Sequence, residues 1–256
     1  MELGLRGKRA LITGGSRGIG LACAKAFAAE GCHLHLVARG LAQLEKAKDE
    51  IRALAAVHVT THGIDLSRPK AAEATVAACG PVDVLVNNAG AIPGGSIETV
   101  DEARWREAWD LKVFGYINMT RAVLPGMVER KGGVIVNIIG LAGAKPSCDY
   151  ICGAAGNAAL MAFTRGLGAG TTRRGVRVVG VNPSVTRTAR TIELYKARAQ
   201  AAYGDASRWE EMLADLPFGR QADPEEVAAL VVFCASGRAS YLSGTVIDID
   251  GGTLYR

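Results

Sequence analysis

The sequence predicts an α/β protein built on a doubly wound, mostly parallel sheet of seven strands. Two observations carry this. Short apolar or β-branched runs alternate with longer segments of helical period, and such spacing needs crossover connections and hence parallel pairing. The strands are also apolar along nearly their whole length, as strands covered on both faces are. The composition agrees: 49% hydrophobic, 21% charged and 5% aromatic residues in 256 leave neither a disordered nor a fibrous chain. We expect one domain over 1–256.

In order, Lys8–Thr13 reads as a strand, followed by a glycine-rich turn and a helix over Gly18–Glu30. His33–Ala38 is a second strand, with a helix over Leu41–Leu54. Val57–His62 and Arg68–Ala78 form the third pair. Val82–Val86 is the fourth strand, and Asp101–Arg130 a long helix that Pro125 bends or ends. Val134–Ile138, a helix over Ala155–Ala169, Val176–Val181 and a short seventh strand at Gly244–Asp248 complete the series. The polar stretch Thr188–Arg220 interrupts the rhythm after the sixth strand, where inserted segments often cover ligands; a solvated helix pair is the plain alternative.

Several function classes drop out early. The six cysteines form no CxxC pair and none lies at ligand spacing from the four histidines, so neither a disulfide framework nor a metal site is expected. His33 and His35 alternate on a strand and read as structural. The N-terminus lacks a signal-peptide core and no apolar run reaches membrane-spanning length, so a cytoplasmic protein without membrane association is expected. The net charge of +5 is spread along the chain and gives no reason to expect nucleic acid.

The segment Thr13-Gly14-Gly15-Ser16-Arg17-Gly18-Ile19-Gly20 follows a strand and opens a helix. Glycines there let backbone N–H groups approach a pyrophosphate, which the helix N-terminus also attracts. The second strand ends in Ala38-Arg39 with no acid before Glu45. An acid would bind the ribose 2′-OH, whereas Arg39 and Arg17 suit a 2′-phosphate. NADP(H) is therefore the preferred cofactor, with NAD(H) as the alternative.

These residues resemble the short-chain dehydrogenase/reductase family, nearly end to end. TGGSRGIG is similar to its glycine motif, Asp65-Leu66 to its adenine contact and Asn87-Asn88-Ala89-Gly90 to its NNAG motif. Asn182-Pro183 with Thr188 resembles the nicotinamide segment, and Pro224–Ala228 with Asp250-Gly251-Gly252 the C-terminal pattern. The resemblance implies oxidoreduction of a carbonyl/alcohol pair on a small molecule by a homodimer or homotetramer. It also implies cofactor contacts at Gly14, Ser16, Arg17, Gly18, Ile19, Gly20, Arg39, Asp65, Leu66, Asn88, Ala89, Gly90, Pro183 and Thr188.

The family's four chemical side chains (Asn, Ser, Tyr and Lys) are missing from their places. Lys112 stands at the Asn position, Gly140 at the Ser position, Gly153 at the Tyr position and Asn157 at the Lys position. Two readings compete. In a rearranged site, Tyr150 is the proton donor, Lys112 lowers its phenol pKa, Ser147 binds the substrate oxygen and Asn157 exchanges roles with Lys112. In the other, the chain binds NADP(H) as a sensor, scaffold or inactive partner. Cys148 and Cys152 lie near this site as reactive thiols or, more plainly, packing residues. Arg187, Arg190 and Lys196 on the cover suggest an anionic substrate.

Overall fold

A computed structural model describes residues 2–256. Seven strands form one sheet: β1 (Arg9–Thr13), β2 (His33–Ala38), β3 (Val59–Gly63), β4 (Val84–Asn87), β5 (Gly133–Ile138), β6 (Val176–Pro183) and β7 (Val246–Ile249). Their order is β3-β2-β1-β4-β5-β6-β7, and every pairing is parallel rather than most of them. The direction of winding reverses between β1 and β4, so a crevice opens beyond the carboxyl ends of those two strands.

The helices are α1 (Gly18–Ala29), α2 (Leu41–Leu54), α3 (Ala71–Cys79), α4 (Glu102–Trp109), α5 (Gly115–Glu129), α6 (Ile151–Thr171), α7 (Ala189–Tyr203) and α8 (Pro224–Ala235). One buried layer joins α1, α2 and α8 to the sheet through Phe27, Leu34, Ile51, Val136 and Val231. The opposite layer joins α3 and α5 through Val37, Cys79, Met119, Met127 and Ile135. The run Val227–Ala235 faces the first of these layers, where Val227, Val231 and Val232 are core residues. Among the described residues no helix is long and apolar enough to cross a membrane.

Three departures from the sequence reading matter for the site. The long helix is not continuous: a π-helical turn at Asp110–Phe114 separates α4 from α5, while Pro125 stays inside α5 without ending it. A π-turn adds a residue to the helical circuit and re-aims the side chains it carries. The sixth helix begins at Ile151 rather than Ala155, which makes Tyr150 its N-cap residue. The third helix begins at Ala71 rather than Arg68, because Lys70 takes a left-handed conformation with φ 62°.

The segment after β6 divides in two. Its first half is α7, which leans over the crevice. A 3₁₀ segment, Ala206–Leu213, packs back on α7 and contributes no residue to the cavity wall.

Candidate active site

A cavity of about 660 Å³ fills the crevice, running from the glycine turn after β1 to α7. Thr13 organises its floor. Its hydroxyl accepts from Asn88 N (2.9 Å) and Ala89 N (3.0 Å), and the Asn88 side chain donates back to the Thr13 and Gly14 carbonyls at 3.0 and 3.2 Å. Sequence reading placed Thr13 in the motif but not as the peg that ties it to β4. Gly14 has φ 66° and Gly18 φ 56°, conformations that L side chains resist. Gly20 does not touch the cavity; a Cβ there would lie 2.2 Å from the Gly14 carbonyl, so it permits the turn to pack on α1.

The N-cap Arg17 makes no side-chain capping bond and the first turn of α1 holds no acid. Its backbone N–H groups are left for an anion, with the helix dipole behind them. Ser16, Arg17, Gly18, Ile19, Arg39, Leu66, Asn88, Ala89, Gly90, Pro183 and Thr188 all line the cavity, and Ala38-Arg39-Gly40 brings no carboxylate to its adenosine end. Asp65 is engaged elsewhere: its Oδ1 accepts from Ser67 N (3.1 Å) and Ser67 Oγ (2.7 Å). These bonds hold its carboxyl below the ordinary Asp range against the opposing effect of burial, with Arg39 and Arg68 adding to them.

At the inner end of the cavity two side chains lie in the space beside glycines, and a third crosses next to them. A Cβ on Gly153 would lie 2.3 Å from Tyr150 Cζ and 2.7 Å from its hydroxyl, so the phenol rests where a side chain at 153 would project. A Cβ on Gly140 would lie 2.9 Å from Asn157 Nδ2, so the Asn157 amide occupies the seat of a side chain at 140. Lys112, turned inward by the π-turn, runs past Gly90, and its Nζ donates to the Ile139 carbonyl at 2.6 Å. Tyr116, one turn on, donates to the neighbouring Ile138 carbonyl at 2.8 Å, so one helix grips the end of β5 twice.

The electrostatics correct one expectation. Lys112 does not lower the Tyr150 pKa. Burial raises the phenol above its ordinary 10, and the cations that pull it back are Arg190 and Arg198. Burial, with Arg190 nearby, takes the Lys112 ammonium down to about 7. In Tyr150 loss of solvation outweighs the attraction of the two guanidiniums, whereas at Lys112 the like charge of Arg190 adds to it. Asn157 is buried and its Oδ1 has no hydrogen-bond partner in the protein. A buried carbonyl oxygen left unpaired is costly, so this one is set for a donor from a bound molecule.

The remaining expectations divide. Ser147 stands at the cavity mouth and gives its hydroxyl to Asp149 at 2.5 Å, which removes it as an oxygen ligand in this arrangement. Asp149 in turn pairs with Arg198 at 3.3 Å. Cys148 is exposed and Cys152 is buried, with burial raising the Cys152 thiol above its usual range; Cys152 is a packing residue beside Trp105 and Trp109.

The cationic cover dissolves as well. Arg187 pairs with Asp223 at 2.5 Å, Lys196 is outside the cavity, and Arg190 donates to the Gly90 (2.7 Å) and Ile92 (2.5 Å) carbonyls. Arg190, unremarked as an anchor in the sequence, thereby ties α7 to the loop after β4.

A glycine turn at a switch point leads into one cavity, with a phenol and an amide beyond it. The family model for short chain dehydrogenase matches residues 8–199, and the chain belongs to that family. It is 34% identical over 250 residues to galactitol 2-dehydrogenase (L-tagatose-forming) of Cereibacter sphaeroides, covering 97% of this chain and 95% of the relative. It is 35% identical over 251 residues to 2-keto-3-deoxy-L-fuconate dehydrogenase of Xanthomonas campestris, covering 97% and 80%. Among solved structures it resembles L-sorbose reductase of Gluconobacter frateurii in complex with NADPH and L-sorbose. There the TM-score is 0.93 and the identity 34%, with all of both chains covered.

Proposed function

We propose that this protein is an NADP(H)-dependent reductase and dehydrogenase of a small-molecule carbonyl/alcohol pair, working through a relocated catalytic set. The observation that carries the reading is a double reseating, Tyr150 over Gly153 and Asn157 against Gly140, with Lys112 running alongside Gly90. Gly153 and Gly140 stand where the family carries its Tyr and Ser, and each is filled by a side chain able to act on a substrate oxygen.

The residues present fit the dinucleotide. The uncapped first turn of α1 takes the pyrophosphate, and Arg17 and Arg39 flank the place of a 2′-phosphate. Asn88, Ala89, Gly90, Pro183 and Thr188 line the nicotinamide end. When bound, the nicotinamide supplies or accepts the hydride. Asn157 Nδ2 donates to the substrate carbonyl, and its unpaired Oδ1 accepts from the alcohol, so one amide serves both directions. Tyr150, whose phenol stays protonated at neutral pH, gives its proton to the forming alkoxide. Lys112 exchanges protons near neutrality and supplies the next one. Ser147 braces the rim through Asp149. The first part of the expected cover, Thr188–Arg198, closes the cavity.

The preference for NADP(H) rests on Arg39 and on the missing acid; the L-sorbose reductase neighbour is an NADPH complex. Assembly into a homodimer or homotetramer is part of the same proposal, supported by Phe114 and Tyr241 standing 49% and 101% exposed. The test is NADPH oxidation by the purified chain against ketoses, including L-sorbose and L-tagatose, and simpler ketones and aldehydes. Turnover that collapses in Tyr150→Phe supports the relocated set. Tight NADPH binding without turnover on any carbonyl favours the non-catalytic reading.

A further inference from the structure

The two histidine-bearing strands and α3 bring together a group of side chains that the sequence spacing concealed. In the register of β2 and β3, His35 lies opposite Thr60 and Val37 opposite His62, so both imidazoles project from the same face of the sheet. That face is the one α3 covers, and Cys79, the last residue of α3, is buried against it. The His35 Nδ1 and His62 Nε2 atoms are 3.1 Å apart, and Cys79 Sγ is 3.5 Å from the same His62 nitrogen. All three ligand atoms fall within 4.8 Å of one another.

The two short separations fit a hydrogen-bond chain and also approach those of a metal's ligands. Tetrahedral zinc, with Zn–N of about 2.05 Å and Zn–S of about 2.3 Å, sets its ligand atoms about 3.3 Å apart for N···N and about 3.6 Å for N···S. A neutral imidazole nitrogen has one proton or one lone pair, yet His62 Nε2 faces two partners. Without an ion, one of those contacts is shared or lost; an ion would engage all three atoms, which lie within 4.8 Å of one another. The two histidines are half-buried, His62 on the edge strand β3 and His35 on β2 beside it, and a water would complete the set as fourth ligand.

We propose that His35, His62 and Cys79 form a zinc site distinct from the nucleotide cavity. Binding displaces the Cys79 thiol proton to solvent and makes one thiolate–zinc and two imidazole–zinc bonds, with no change of oxidation state. The site fastens the edge strand β3 to β2 and α3. Val37 and Ala38 at the end of β2, and Arg39, Ile64 and Leu66 just beyond β2 and β3, line the adenosine end of the cavity. Zinc therefore stiffens the wall against which the nucleotide lies.

The test titrates the chelator-treated full-length chain with zinc alone, and then with cobalt(II), whose spectrum reports a bound thiolate. We expect one equivalent of zinc per chain, a sulfur-to-cobalt charge-transfer band, and a higher Tm with zinc. Cys79→Ser should abolish the band, and both it and His62→Gln should weaken zinc binding at least about a hundred-fold, since loss of a supporting residue alone already costs 10–100-fold. NADPH binding by each variant verifies its fold. Cys148→Ser and His58→Gln, which alter an exposed thiol and the neighbouring His33–His58 pair, should leave the band and the stoichiometry unchanged. Absence of stoichiometric binding, a cobalt spectrum without thiolate, or a band that survives Cys79→Ser and disappears with Cys148→Ser would overturn the site.

Discussion

Gly153→Ala separates stability from activity. Alanine's methyl would lie 2.1 Å from Tyr150 Cε1, 2.3 Å from Cζ and 2.7 Å from the hydroxyl. Ordinary carbon contacts begin near about 3.5 Å, so the ring must retreat by more than about 1 Å. A misplacement of about 1 Å at a reacting group costs about a hundred-fold in rate, or about 2.7 kcal/mol of barrier. The backbone itself gains, because Gly→Ala in a helix stabilises by about 0.5–1 kcal/mol when the native conformation suits alanine. Gly153 has no positive φ and lies within α6. The expected variant is folded, binds NADPH as the wild type does, and reduces the best wild-type carbonyl about a hundred-fold more slowly. Steady-state NADPH oxidation and a fluorescence titration of NADPH, run on the same preparation, read both quantities. Unchanged turnover would show that the phenol over Gly153 takes no part in the chemistry.

Further outcomes follow from other residues. Arg39→Ala should weaken NADPH binding by at least about ten-fold more than NADH binding, because it removes a charge suited to the 2′-phosphate alone; equal losses would remove the assignment. Gly20→Ala places a methyl 2.2 Å from the Gly14 carbonyl and should abolish binding of both dinucleotides in the same titration. Lys112, with its pKa taken down from 10.5 to about 7, gives a pH signature. Between those two values the unfolded chain holds a proton that the folded one has released, so the Lys112 contribution to stability rises with pH. The unfolding free energy of the wild type relative to Lys112→Met should therefore climb between about pH 7 and 10, measured by urea denaturation; a flat difference would contradict it.

The fold was legible because apolar strands at crossover spacing admit few arrangements, and the glycine turn announces itself by composition. The limits of the helices were less so. Nothing in Trp109–Gly115 marks a π-turn, since the extra residue is a response to packing around Val113 and Tyr116, not a propensity. That positions 140 and 153 are glycines is plain in the sequence, but not what fills the space beside them. A glycine states only that a side chain is missing; the neighbour that enters its space is fixed by the path of the loop. That path depends on the bridge between Gly95 and Tyr150, whose partners are 55 residues apart in the sequence (150 − 95). The zinc ligands were hidden for the same reason: His35, His62 and Cys79 meet only through strand register and the return of α3. Ser147 shows the converse, a residue near in sequence whose hydroxyl is taken by Asp149, two positions on.

Comparison of Tyr150→Phe with the wild type addresses the relocated site at its proton donor. The substitution keeps the ring over Gly153 and removes only the hydroxyl. NADPH affinity should be unchanged, while kcat for carbonyl reduction should fall by at least about a hundred-fold, the range of a general acid's contribution. Turnover at the wild-type rate, with NADPH still bound, would mean that the proton comes from another group and that the phenol's place over Gly153 is a matter of packing.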